Sequence, residues 1–135
     1  MTTTDTNLQQ ALILFAHGAR AASWAAPFER LRELTQARMP ATRVYLAFLE
    51  LMTPRLPELI PTLLAELPDG FVLDATVVPV FLGQGGHVLR DLPLLVEELR
   101  QAHPQLRLKV VEAVGENASV LAAIADYCVA APGQS

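Results

Sequence analysis

Short apolar segments alternate along the chain with longer segments of helical periodicity. The first and third apolar segments are almost uninterrupted, which is typical of parallel strands buried on both faces. The fourth alternates apolar residues with Arg107 and Lys109, which is typical of an edge strand. The predicted strands span residues 11–16, 43–49, 71–80 and 106–111. Four strands with a helix after each predict an α/β fold in which right-handed crossovers connect a parallel sheet.

Each helical segment begins near a residue suited to an N-cap. The predicted caps are Ser23, Thr53 (followed by Pro54), Asp91 and Asn117. Prolines 57 and 61 imply that the second helix is kinked or begins later than Thr53. The usual doubly wound order for four such strands is 2-1-3-4, with helices covering both faces. We therefore predict a three-layer α/β/α, flavodoxin-like fold.

Length and composition suit one domain. The chain has 135 residues, of which 52% are hydrophobic and 6% aromatic. We expect a single domain over residues 1–135, with flexible tails at 1–10 and 131–135. The polar first ten residues contain no Lys or Arg, so they do not predict a secretory signal. No stretch approaches the roughly 20 apolar residues of a membrane span.

Charge and cysteine content exclude several classes of function. The net charge is -4 and the ten Lys and Arg residues are scattered, which argues against nucleic-acid binding. The single cysteine, Cys128, cannot form an internal disulfide, so we expect a cytoplasmic protein. Cys128 is interpreted as a small apolar residue on a helix face.

Three potential metal ligands follow three of the predicted strands. His17 follows the first, Glu50 the second, and His87 lies in the glycine-rich loop after the third. The carboxyl ends of parallel strands share one sheet edge, so these side chains are expected to converge at the switch point between the first and third strands. Imidazole and carboxylate ligands favour cobalt, iron, nickel or zinc, and three ligands leave coordination positions open.

Glycine and arginine surround both histidines. The loop at 83–86 lacks the Lys-Ser/Thr of a phosphate-binding loop, so we do not expect it to bind a nucleotide. Its glycines are interpreted as allowing a flat ligand to lie close to the backbone. Arg20 and Arg90 are candidates for binding ligand carboxylates.

The motifs as a set resemble the short-form CbiX-type sirohydrochlorin chelatases of the class II chelatase family. They are His17-Gly-Ala-Arg20, Phe48-Leu-Glu50 with Pro54, Pro79-Val-Phe-Leu82, and Gly85-Gly-His87 through Pro93. The resemblance implies insertion of Co²⁺ or Fe²⁺, with Ni²⁺ as a third candidate, into a tetrapyrrole for cobalamin or sirohaem synthesis. It implies no prosthetic group, a homodimer, and metal binding by His17 and His87 with Glu50 as third contributor. Substrate contacts are expected at Gly18, Ala19, Arg20, Phe81, Gly85, Gly86 and Arg90.

One position departs from the family pattern. Ala19 stands where a serine is usual, so a hydroxyl is lost beside His17. Two alternatives to a chelatase remain open: a carrier that binds a tetrapyrrole or metal without turnover, and a flavodoxin-like interaction domain in which both histidines are structural.

Overall fold

A computed structural model describes residues 7–83 and 85–134; the side chains of residues 86, 87 and 89 lie outside that description. Strands and helices alternate as the sequence predicts. In chain order they are β1 (Leu8–Ala16), α1 (Ala26–Arg38), β2 (Arg43–Phe48), α2 (Leu56–Ala65), β3 (Val72–Pro79), α3 (Gly86–Ala102), β4 (Leu106–Val110) and α4 (Ala118–Ala130). Short 3-10 turns occupy Ala22–Ala25, Val114–Glu116 and Ala131–Gly133.

The sheet is parallel throughout and its order is β2-β1-β3-β4, which confirms the predicted topology. β1 lies at the centre, between β2 and β3. It begins at Leu8, paired with Val72, so residues 8–10 form part of the strand although they were predicted to belong to a tail. The start of β1 could not be predicted, because the exposed Gln9 and Gln10 interrupt the apolar run that indicates the strand.

One face of the sheet carries the main core. Helices α2 and α3 cover this face, and β1 contributes Ile13 and Phe15, which are both fully buried. Leu56 and Ile60 of α2 are also fully buried. Their spacing of four residues places both side chains on one side of the helix. Burying a side chain of this size contributes roughly 1.5–3 kcal/mol, so this layer supplies much of the stability of the fold.

The opposite face is covered only over half its width. There α1 packs on β2, and Gln36 Oε1 accepts a hydrogen bond from Val44 N at 2.9 Å. Trp24 and Phe28 pack beside Ala16 and Phe48 in a second, smaller cluster. Along β3, buried residues alternate with partly exposed ones, so only one face of that strand is buried. The prediction that β3 is buried on both faces, with helices covering both sides of the sheet, is therefore wrong for the β3–β4 half.

The first two helices begin later than their predicted caps. Ser23 lies in a 3-10 turn, and α1 starts at Ala26, beside the proline at position 27. For α2 the later of the two possible starts is observed: Arg55 is the N-cap residue, and Glu58 Oε1 accepts from Arg55 N at 2.7 Å. In both helices a proline stands in the first turn, where its missing N–H costs no hydrogen bond. The helical spacing of Trp24, Phe28, Leu31 and Leu34 predicts one apolar stripe on α1, but Leu34 is 56% exposed.

The third helix begins earlier than its predicted cap. Gly85 is the N-cap residue of α3, so Asp91 lies inside the helix and the prediction that it caps α3 is wrong. His87 and Arg90 consequently belong to the start of a helix and not to a loop. The fourth helix begins as predicted, because Asn117 Oδ1 accepts from both Ser119 N and Val120 N.

We expect Gly115→Ala to lower the melting temperature. A Cβ at this position would lie 2.0 Å from the backbone carbonyl oxygen of Leu82, so two backbone segments must separate to accommodate it. Overpacking of this kind costs roughly 1–3 kcal/mol. Thermal unfolding of Gly115→Ala should be compared with Gly83→Ala, whose Cβ would meet nothing within 4 Å. Equal melting temperatures for the two variants would contradict this account.

Candidate functional site

His17 lies directly beyond the carboxyl end of β1, and Glu50 lies beside it. Leu49 N donates to Ala16 O at 2.8 Å, and Glu50 N donates to His17 O at 3.1 Å. These two hydrogen bonds continue the β1–β2 ladder past the ends of both strands. The backbones of His17 and Glu50 are thereby held together at the sheet edge where the sequence predicts a site.

Gly18 is required by the close approach of the β2 segment. Its φ of +94° is in the left-handed region, which disfavours any residue with a Cβ. A Cβ there would also lie 1.8 Å from the carbonyl oxygen of Glu50. Gly18 is therefore needed for two reasons: the turn after His17, and the close approach of the Glu50 backbone.

The imidazole of His17 packs on the ring of Phe81. The two ring centroids are 4.3 Å apart and the ring planes are tilted by 39°. Phe81 is only 3% exposed and in turn contacts Phe15, edge to face, at 5.9 Å. Val80 N donates to Phe15 O at 2.8 Å, so the chain leaving β3 is tied to β1 at this point. The partly buried His17 thus has an aromatic support beneath it, supplied by the segment after β3.

His87 belongs to the first turn of α3, following Gly85 and Gly86. The backbone of this turn follows the same carboxyl edge of the sheet, but the side chains of Gly86 and His87 lie outside the described part of the structure. Among the side chains that are described, no three His, Cys, Asp or Glu residues form a group able to hold a metal. The predicted trio includes His87, whose side chain is not among those described.

The remaining predicted site residues are mostly exposed. Glu50 and Arg20 face water, and Ala19 is partly buried. Arg90 is 72% exposed, with its Nε 3.8 Å from Asp91 Oδ1. Such an exposed ion pair is worth little to stability, so it leaves the guanidinium able to exchange partners.

Gly83 and Gly85, in the loop after β3, have no structural requirement among the described residues. A Cβ at Gly83 or Gly85 would meet nothing within 4 Å. Gly85 adopts an extended conformation that other residues also adopt. The backbone at these two positions is therefore accessible from outside the protein.

Two exposed apolar residues at this edge were not predicted from the sequence. Leu51, next to Glu50, is 57% exposed and has a positive φ of 67°. Leu82, next to Phe81, is 68% exposed. Their signal in the sequence is a leucine two residues beyond the end of a predicted strand, outside any amphipathic stripe. Together they give the polar edge an apolar component.

Two cavities in the described part of the structure lie away from His17. One of about 390 Å³ follows the outer side of β2, and one of about 230 Å³ lies at the amino-terminal end of the sheet.

None of the helices within residues 7–83 and 85–134 combines the length and apolar character needed to cross a membrane.

A solved structure of a putative cobalamin biosynthesis CbiX protein from Marinobacter aquaeolei VT8 is similar to this chain. Its TM-score is 0.79 with 30% sequence identity, over 93% of this chain and 99% of the other. No curated protein gives a significant match.

Two SirB structures share the fold at lower identity. SirB from Bacillus subtilis with Fe³⁺ is 21% identical, and the sirohydrochlorin chelatase SirB from Bacillus subtilis subspecies spizizenii in complex with cobalt is 22% identical. Each has a TM-score of 0.70 over 87% of this chain. The alignments cover 45% and 49% of the SirB chains, so this chain spans about half of their length.

The family model for CbiX matches residues 11–130. This range includes β1 from Ala11 onward, the other three strands and all four helices. The match agrees with the full-length structural similarity to the Marinobacter protein. The chain therefore belongs to the CbiX family.

Proposed function

We propose that this protein is a chelatase that inserts a divalent metal ion, Co²⁺ or Fe²⁺ with Ni²⁺ as a further substrate, into sirohydrochlorin. The observation that carries the proposal is the position of His17, on an open edge of a CbiX-family fold with its ring supported by Phe81. The reaction serves cobalamin or sirohaem synthesis in the cytoplasm. The metal is a substrate, and the protein needs no prosthetic group.

Metal insertion requires two events at one place. The macrocycle loses two pyrrole protons, and the metal ion exchanges water for pyrrole nitrogens. A neutral imidazole performs either task near neutral pH, because it binds borderline divalent ions and also accepts protons. In this proposal His17 and His87 hold the incoming ion and accept the pyrrole protons.

Glu50 assists at the same place. Its backbone is hydrogen-bonded to His17, and its carboxylate is exposed at the site edge. A carboxylate beside a metal-binding imidazole orients the ring and raises its basicity. Glu50 therefore has a positioning and proton-accepting role in the proposed mechanism, and it completes the metal ligand set.

The macrocycle is held by apolar and cationic groups around His17. The flat ring requires apolar contact, which Leu51 and Leu82 offer at this edge. Its carboxylates require cations, which Arg20 and Arg90 offer. Gly18, Ala19, Gly85 and Gly86 are proposed to contact the macrocycle, with the exposed backbone of Gly85 open to a close approach. Phe81 acts from below by fixing the imidazole of His17.

A homodimer is the proposed working form. The chain spans about half the length of the SirB chains, so a second copy would supply the other half of a two-lobed arrangement. The proposed partners are thus a tetrapyrrole and a second chain, without nucleic acid or membrane.

Absorbance spectroscopy of sirohydrochlorin with Co²⁺, Fe²⁺ and Ni²⁺ tests the proposal directly. A chelatase accelerates the spectral change of metallation catalytically, with many turnovers per protein. A carrier shifts the spectrum once, in proportion to protein, and an interaction domain changes nothing. Either of the last two results would exclude the proposed activity.

The first variant pair concerns His17. We expect His17→Ala to cut metallation at least 100-fold and to lose about 0.5–1.5 kcal/mol of stability, because the ring pair with Phe81 is removed. His17→Phe keeps an aromatic ring but no nitrogen, so it should retain the melting temperature and lose the activity. Full activity in His17→Phe would show that the imidazole nitrogens are not used. His87→Ala is expected to be equally inactive.

The second variant concerns Glu50. We expect Glu50→Gln to reduce the metallation rate about 10-fold, less than either histidine variant, because an amide keeps a hydrogen-bonding group but loses the negative charge. The melting temperature should not change, since this side chain is exposed. A loss as large as that of His17→Phe would instead make Glu50 indispensable.

The third variant concerns the departure from the family pattern. Ala19→Ser adds one hydroxyl to a partly buried position in an exposed turn, and we expect activity equal to or above that of the unmodified protein. Steady-state metallation rates for the two proteins provide the comparison. A large decrease would indicate that Ala19 packs against an apolar group.

A further inference from the structure

The sheet has two outer strands, β2 and β4. Within the described residues each of them pairs with one neighbouring strand, β2 with β1 and β4 with β3. On such a strand, alternate residues direct their backbone N–H and C=O groups away from the sheet. An edge of this kind can pair with a strand of another molecule, which leads to open-ended association. The partners of these outward-facing groups therefore affect how the protein behaves in solution.

On β2, the outward-facing groups of Val44 are both occupied by side chains of α1. Val44 N donates to Gln36 Oε1 at 2.9 Å, and Arg32 Nη1 donates to Val44 O at 3.2 Å. The amide of Gln36 is itself fixed, because its Nε2 donates to the carbonyl oxygens of Met39 and Thr42 at 3.0 and 2.8 Å. A strand approaching this end of β2 would find no free backbone group at Val44.

The far end of β2 is occupied by the chain that follows it. Phe48 N donates to Pro54 O at 2.9 Å, and an isolated parallel bridge joins Phe48 to Arg55. Leu46 lies between the two occupied positions, and its outward N–H and C=O have no partner among the residues that the structure describes. This single open position is too short for a new ladder, because strands pair along several successive outward-facing residues.

On β4, a side chain of α3 has the same role. Arg100 Nε donates to Leu108 O at 2.9 Å, and Nη2 of the same guanidinium also donates to that oxygen. Hydrogen bonds from a charged donor are stronger than those between neutral groups. Leu106 N donates to His103 O at 3.0 Å, so Val110 is the one outward-facing residue of β4 with both groups open in the described chain.

The two guanidinium groups occupy equivalent places in the fold. Each belongs to the helix that directly precedes its outer strand, α1 before β2 and α3 before β4. The sheet register places Val44 level with Lys109, the residue after Leu108. Both outer strands are therefore bonded by an arginine at nearly the same height of the sheet. This agreement between two separate sites indicates a shared task.

We propose that Arg32 and Arg100, which we call the edge arginines, keep both outer strands from pairing with a strand of another copy of this chain. An incoming strand needs the carbonyl oxygen that the guanidinium already holds, so it has to displace a charge-assisted hydrogen bond. The inference goes beyond the proposed reaction. The contacts described for the two guanidinium groups include no residue of the proposed metal site.

Arg32→Met and Arg100→Met test the proposal, because methionine keeps an apolar stem but donates no hydrogen bond. We expect each variant to form assemblies larger than the unmodified protein about 10-fold faster, since the competing hydrogen bond is gone. Light scattering and thioflavin T fluorescence measure the rate. Arg30→Met is the matched control, because Arg30 lies on α1, is exposed and bonds nothing among the described residues. Unchanged rates in both edge variants, or an equal increase in Arg30→Met, would overturn the proposal.

A second control separates this effect from a loss of stability, which also speeds association. Gly115→Ala is expected to lower the melting temperature while leaving the hydrogen bonds of both outer strands in place. All proteins are incubated at one temperature, well below the lowest melting transition among them. The edge variants should then associate faster than Gly115→Ala. If the rates instead follow the order of the melting temperatures, association begins from the unfolded chain and the proposal is wrong.

Amide hydrogen exchange locates the new contact in the assemblies. The N–H groups of Leu46, Leu108 and Val110 have no partner among the described residues. In assemblies of Arg100→Met the amides of Leu108 and Val110 should become protected, and in assemblies of Arg32→Met the amide of Leu46 should. Protection confined to other segments would contradict pairing at these edges. None of these measurements uses metallation, so the outcome is independent of the proposed reaction.

Discussion

The arrangement of this protein depends on the backbone pairing of β1 with its two neighbours. β1 is bonded to β2 on one side and β3 on the other. The bonding continues past the ends of β2 and β3, whose next residues donate to Phe15, Ala16 and His17. The residues that follow each neighbouring strand are therefore held in fixed positions: Glu50 after β2, and Phe81 after β3. Because backbone hydrogen bonds in a buried sheet are costly to break, the edge is held by the same interactions that hold the fold.

The same edge combines a rigid part with accessible parts. His17 is held by the Gly18 turn on one side and by the ring of Phe81 beneath it. Around it, Glu50, Leu51 and Leu82 project into water. A rigid imidazole with exposed polar and apolar neighbours suits a flat ligand that arrives from outside.

Much of this was available in the sequence, because the strands and helices differ strongly in period. Continuous apolar runs located β1 and β3, and the alternation around Arg107 and Lys109 identified β4 as an edge. Helix boundaries were less predictable. Ser23 and Asp91 are good capping residues in isolation, yet α1 begins at Ala26 with a proline in its first turn, and α3 begins directly after Gly85. A capping preference of about 1 kcal/mol does not by itself fix where a helix begins.

The site was predictable in its residues and only partly in its geometry. Strand order placed His17 near the segment after β3, but the contact with Phe81 depends on side-chain packing that no periodicity encodes. The role of Leu51 could not be predicted, because nothing in a single sequence reveals its positive φ. The exposure of α4, none of whose side chains is buried, was equally unpredictable, because its apolar sequence is also that of a helix packed on the sheet.

Gly115 connects two regions that are otherwise separate. Its N–H is bonded to the carbonyl oxygen of Phe81, and its Cα lies against the backbone of Leu82. The chain between β4 and α4 is therefore a buttress for the residues that lie under and beside His17. Substitutions there would be transmitted to the imidazole through a single peptide unit, without any change in the residues that meet a ligand. A set of variants confined to the carboxyl edge would not include Gly115, although its backbone contacts support that edge.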